Sequence, residues 1–234
     1  MSGELVRVYV WEWPVRLAHW CIAYSVLVLA ATGFYIGHPF ITVTETGFLM
    51  GWARTIHFCA ATVFALSVVT RVLWMFLGNQ YSHWNKFVPV TRRRWKAMLL
   101  ILRYYFFQLR QPPGFVGHNP LAGFTYTFVF LMYFAMIATG LGLYATSAHV
   151  DSPFRVFRFL LPLWGGAQTA RLVHHTVMWL ILAFAVHHVY SSVLMSQVEA
   201  RGTIESMASG YKFVPREDLH YSGYRYLGMW DAER

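Results

Sequence analysis

Three stretches place an arginine three residues before a histidine at the mouth of an apolar run: RLAHWC at 16–21, RTIHFC at 54–59 and RLVHH at 171–175. On a helix, residues three apart lie almost on one face, one turn from each other. A histidine facing an apolar interior then has a cation on its surface side. The run that begins at Arg171 holds four histidines, His174, His175, His187 and His188, and helix geometry chooses among them. A separation of 14 residues leaves two side chains about 40° apart, while 13 and 12 leave them about 140° and 120° apart. Only His174 and His188 share a face, with a rise of about 21 Å between them. His175 and His187 are read as neighbours rather than ligands.

Such histidines need long helices in an apolar medium to hold them. Of the 234 residues, 57% are hydrophobic, 18% aromatic and only 12% charged, where a soluble domain carries about 25% charged residues. Four windows, roughly 18–36, 55–77, 122–145 and 172–195, contain no lysine or acid. Each is near the roughly 20 residues that cross a hydrocarbon core. The first is too long and too late for a cleavable signal peptide and is expected to be retained. The prediction is an all-α membrane protein, one domain over 1–234, built as a four-helix bundle.

Four spans place the N-terminus, the 78–121 loop and the 196–234 tail on one side. Only Arg54, Arg155, Arg158 and Arg171 of the 19 Lys and Arg fall on the other. This bias orients both termini and the long loop to the cytoplasm. The net charge of +9 is thus a topology signal, and no nucleic-acid partner is expected. Within the loop, RRRWKAMLLILRYYFFQLR at 92–110 is broken by Arg103 and reads as a cytoplasmic interfacial helix with lipid contact. Cys21 and Cys59 fall near opposite ends of antiparallel spans and read as small buried hydrophobes, not a disulfide. His38, His83, His149 and His220 fall in loops or tails and read as solvated.

Ionisable residues inside a bilayer are costly and point to function. Running the spans alternately puts His57 at the depth of His174, near the outer surface, and His19 at the depth of His188, near the cytoplasm. Two histidine pairs stacked in a four-helix bundle are what two bis-histidine b haems require, with these four imidazoles as iron ligands. The arginines then pair with haem propionates, Arg16 at the inner haem, Arg54 and Arg171 at the outer. ATG occurs twice, at 31–33 and 138–140. Gly33 and Gly140 either clear space for a macrocycle or serve ordinary helix packing. A proton or ion pathway, or another metal, is the competing use of the histidines.

Several stretches resemble the b-type cytochrome subunit of membrane-bound nickel–iron hydrogenases: YVWEWPVRLAHW at 9–20, TGFYIG at 32–37, RTIHF at 54–58, GNQYSHWNKFVPV at 78–90, GHNPLAG at 117–123, MWLI at 178–181 and HVY at 188–190. The histidine pattern alone is shared with the wider group that includes formate dehydrogenase cytochrome subunits. In that group the helix I ligand pairs with the later helix IV histidine and the helix II ligand with the earlier one, as the depths here do.

The resemblance implies a multi-pass protein of the bacterial inner membrane. It would take electrons from the iron–sulfur small subunit of a hydrogenase, and through it from the large subunit. The electrons would pass through the outer and inner haems to a membrane quinone, and the chain would anchor the complex. The chain has two cysteines, too few for nickel or iron–sulfur ligation, so hydrogen activation belongs to the partners. The family analogy places quinone near the inner haem, where Asn119 can hold a carbonyl and His118 relay a proton. Asn before Pro is equally a helix cap. The rival functions are the cytochrome subunit of another periplasmic dehydrogenase, such as formate dehydrogenase, a haem-free membrane anchor, or a proton pathway.

Overall fold

The computed structural model describes residues 4–41, 48–110 and 115–216. Strand β1 (Leu5–Tyr9) leads into helix α1 (Trp13–Gly37), followed by α2 (Leu49–Leu77), α3 (Arg92–Tyr105), α4 (Pro120–Ser147), α5 (Leu160–Leu163), α6 (Ala167–Glu199), α7 (Ser206–Ser209) and β2 (Tyr211–Pro215). Short 3-10 turns lie at Trp84–Lys86 and Pro153–Phe159. Among the described residues, α1, α2, α4 and α6 are long and apolar enough to cross a membrane. All four expected spans lie within them.

Large apolar side chains point outward along these helices: Leu27, Leu66, Leu172 and Val186 are each more than 60% exposed. In water that surface would be untenable, whereas lipid accepts it, and the helix backbone satisfies its own hydrogen bonds. This is an integral membrane protein, a four-helix bundle. On α2 the buried side reads Ala53, Phe64, Val68 and Arg71, with helical spacing.

The chain forms two compact units. One gathers 1–16, 71–129 and 186–234, the other 17–70 and 130–185. In the first, β1 and β2 pair antiparallel from Leu5 opposite Pro215 to Tyr9 opposite Tyr211, a sheet the all-α expectation did not contain. Five-residue strands so far apart in sequence have no local signal, and a hairpin turn is absent between them. Val10, Trp11, Val15 and Val116 pack with Val214 of β2 in one buried cluster. Gly210 turns the chain into β2 at φ +87, where a Cβ would come within 2.6 Å of the Tyr9 ring, so glycine is required twice over.

The GNQYS turn of the first unit is tied by side chains. Glu12 accepts from the Trp74 indole N–H at 2.9 Å and from Asn79 N–H at 2.7 Å. The Asn79 amide donates to the Val10 carbonyl, and its oxygen accepts from Tyr81 and Ser82 N–H. Lys212 and Glu199 form a 3.0 Å ion pair whose side chains are largely buried.

Three expectations are corrected in detail. The 92–110 helix ends at Tyr105, because Phe107 turns to φ +58. Its buried residues are Arg94, Ala97, Met98, Leu100 and Ile101, and Ala97 and Ile101 pack on Phe115 and Leu121. Trp95 and Leu99 face outward. Both cysteines are free, but neither is fully buried: Cys21 is half-buried and Cys59 exposed, on the outward side of α2, where lipid would solvate it. His83 is only partly exposed, whereas His38 and His149 are open. His220 and the tail beyond residue 216 lie outside the described residues.

Candidate haem sites

The second unit contains a repeated arrangement. Thr32 of α1 and Thr139 of α4 each stand in an ATG triplet, and each meets one histidine of a neighbouring helix. Thr32 Oγ1 lies 2.9 Å from His57 Nδ1, and Thr139 Oγ1 lies 2.8 Å from His174 Nδ1. Proton counting fixes the roles. A threonine hydroxyl has one hydrogen, and each is spent on the carbonyl one turn back, Val28 at 2.7 Å and Ala135 at 2.6 Å. Each threonine oxygen must therefore accept from its histidine. Nδ1 carries the imidazole hydrogen, and Nε2 keeps its lone pair for a metal.

The glycine of each triplet brings the ring close. A Cβ at Gly33 would stand 3.4 Å from His57 Cε1, and one at Gly140 would stand 3.3 Å from His174 Cε1. What a side chain at either position would meet here is the imidazole. His57 and His174 thus share one arrangement, a threonine at Nδ1 and a glycine against Cε1.

His175 is engaged differently. Its Nδ1–H donates to the Arg171 carbonyl of its own helix at 2.9 Å, and its Nε2 faces Gly37. Arg54 and Arg171 are exposed at the start of their helices. The Arg171 guanidinium donates to Gln168 Oε1.

The first unit holds His188, whose Nδ1 lies 3.3 Å from the Tyr126 hydroxyl. Tyr126 in turn packs edge-on against His118, with ring centroids 4.9 Å apart, and His118 also stacks near Trp11 at 4.5 Å and Phe87 at 5.6 Å. Asn119 Oδ1 accepts from Ala122 N–H at 2.7 Å and so caps α4, which opens on Pro120. The Arg16 guanidinium donates to the Ala208 carbonyl. His19, on α1, is half-buried beside the edge of Trp20.

Histidine spacing does not point to Thr32, Thr139 or Tyr126. The signal for the threonines was present, since each stands beside a glycine already singled out in the duplicated ATG. Tyr126 had none.

Apolar helices that present inward imidazoles with bare Nε2 atoms are the frame of a membrane-bound b-type cytochrome. The chain belongs to the prokaryotic cytochrome b561 family, which matches residues 10–210. A Cupriavidus necator protein is 39% identical over 218 residues, covering 90% of this chain and 89% of its own length. A Rhizobium leguminosarum protein is 39% identical over 222 residues, covering 92% and 93%. Both are named "Probable Ni/Fe-hydrogenase B-type cytochrome subunit". The Escherichia coli K12 "Probable Ni/Fe-hydrogenase 1 B-type cytochrome subunit" is 36% identical over 218 residues, covering 90% and 93%.

Proposed function

We propose that the chain is the dihaem membrane subunit of a nickel–iron hydrogenase, linking its iron–sulfur small subunit to membrane quinone. The observation that carries this is the pair of threonine-held histidines, His57 and His174, whose Nδ1 atoms are engaged by Thr32 and Thr139 so that Nε2 is the nitrogen left to bind a metal. His19 and His188 are the ligands of the second, inner haem, a pairing supported by the helical register. The names of the relatives supply the hydrogenase partner. A b haem bound at each pair supplies one-electron chemistry at iron.

This chain's residues then do the rest. Thr32 and Thr139 fix the imidazole tautomer and orientation. Arg54 and Arg171 at the outer site, and Arg16 at the inner one, are the cations that would neutralise propionates. For quinone, the capping bond uses Asn119 Oδ1, so the amide NH2 is the end left to hold a carbonyl, with His118 beside it as proton relay. The membrane is the bacterial inner membrane, with both termini cytoplasmic.

The test is haem stoichiometry and a reduced-minus-oxidised spectrum of the purified chain. Two haems per chain are expected. His57→Ala and His174→Ala should each remove the same spectral component and leave the other. Loss of different components would break the pairing, and a haem-free native protein would end the reading.

A further inference from the structure

Arg71 ends the buried side of α2. It is 6% exposed, its guanidinium carbon lies 5.0 Å from the Phe87 ring centroid, and its Nη1 is enclosed with no acceptor among the described residues. A cation buried inside a membrane helix is costly unless a counter-charge meets it. The ion pairs of the described residues lie elsewhere.

The turn that carries Phe87 holds three more enclosed polar atoms without partners among the described residues, Ser82 Oγ, His83 Nδ1 and Asn85 Oδ1. The arginine can only donate, the serine hydroxyl and the imidazole can donate or accept, and Asn85 Oδ1 can only accept. A buried guanidinium with an enclosed, unpartnered N–H suits a ligand that brings anionic oxygens. A neutral quinone would leave the charge uncompensated. A lipid phosphate would need an accessible guanidinium.

Depth identifies the anion. Arg71 follows His57 by 14 residues, about 21 Å and about 40° along the helix, the same step that separates His174 from His188 on α6. Arg71 therefore sits on α2 at the level of the second histidine of α6, in the same unit as His188 and Tyr126.

We propose that Arg71 is the buried carboxylate anchor of the inner site, pairing through its guanidinium with a propionate of the haem held by His188. This rests on the dihaem reading. Arg16 donates to the Ala208 carbonyl and keeps an enclosed Nε without a partner, whereas the guanidinium of Arg71 is itself buried and has its Nη1 unspent.

The test compares the unchanged chain with Arg71→Gln and Arg71→Lys as purified haem-loaded protein, by potentiometric titration of the haem absorption together with haem content. The change is also carried into His57→Ala, which isolates the inner component. Arg71→Gln removes a cation beside the iron and favours the oxidised form. It should weaken reduction of the inner haem tenfold or more, at 59 mV per tenfold for one electron, and leave the outer haem unmoved. Arg71→Lys should restore most of the potential.

Two components in the unchanged chain, with both potentials unaltered by Arg71→Gln, would overturn the assignment while leaving the dihaem reading intact. A single component in the unchanged chain would remove that reading itself. A shift that vanishes on quinone extraction would also overturn the proposal, assigning Arg71 to quinone. Should Arg71→Gln accumulate no haem-loaded protein, Arg71→Lys decides. Haem content and potential near those of the unchanged chain support the anchor, and apoprotein from both variants assigns Arg71 to the fold and rejects it.

Discussion

The hydrogen bond from His57 Nδ1 to Thr32 sets more than an orientation. An imidazole that donates is a stronger base at its other nitrogen, and a stronger ligand favours the oxidised iron. Thr32→Val keeps the shape but leaves a buried N–H unpaired, at a cost of about 1–3 kcal/mol. The expected outcome is weaker haem retention at the outer site and a higher potential for the haem that remains. Redox titration checks it: a lower potential would contradict the roles drawn from proton counting. At Lys86, burial and then the nearby Arg94 guanidinium hold the amine below its ordinary value. The folded state thus binds that proton less readily than the unfolded chain, so the penalty is full at low pH. It fades as the pH rises from the depressed value towards the unfolded value of about 10.4. Lys86→Gln should raise the thermal midpoint at pH 7 and lose much of that gain at pH 10. Equal gains at both values would show that charge is not the cause.

Helix α4 begins where the sequence suggested two uses for one asparagine, and the structure displays the cap. Two substitutions separate the uses. Asn119→Ser keeps a capping oxygen and removes the amide NH2, so haem content should hold while turnover with a quinone analogue falls roughly tenfold. Asn119→Leu removes the cap as well and should cost about 1 kcal/mol of stability, lowering haem content with activity. Normal turnover in Asn119→Ser would end the quinone role. The four long helices and the 14-residue histidine step were legible because a bilayer demands about 20 apolar residues and a helix has one period. The residues that condition the site were harder to read. Arg71 counted only as a flanking charge, since burial is invisible to a charge tally. Thr32 and Thr139 were hidden behind their glycines, and α3 lost its last turn at Phe107, which no periodicity marks.

At the scale of the whole molecule the distribution of cations predicts the orientation. A reporter joined after residue 216 should read as cytoplasmic, and one inserted between Ser147 and Pro153 as external. The opposite pattern would reverse the depths and exchange the inner and outer sites, though the pairing on α2 and α6 would survive. The balance of 15 basic residues against four, read from 19 in all, makes the first pattern the expected one.

The pairing of Tyr9 with Tyr211 also has a consequence in time. At about 5–20 residues per second, the first strand leaves the ribosome on the order of 10–40 s before its partner. Through that interval its edge is open to wrong neighbours. The Ala208 carbonyl that receives Arg16 arrives equally late. A chain released early therefore inserts its helices yet lacks both the second strand and the acceptor that steadies the start of α1. The seam between residues 5–9 and 211–215 can therefore close only once the later strand has emerged, and protection measured on nascent chains should appear only after that point.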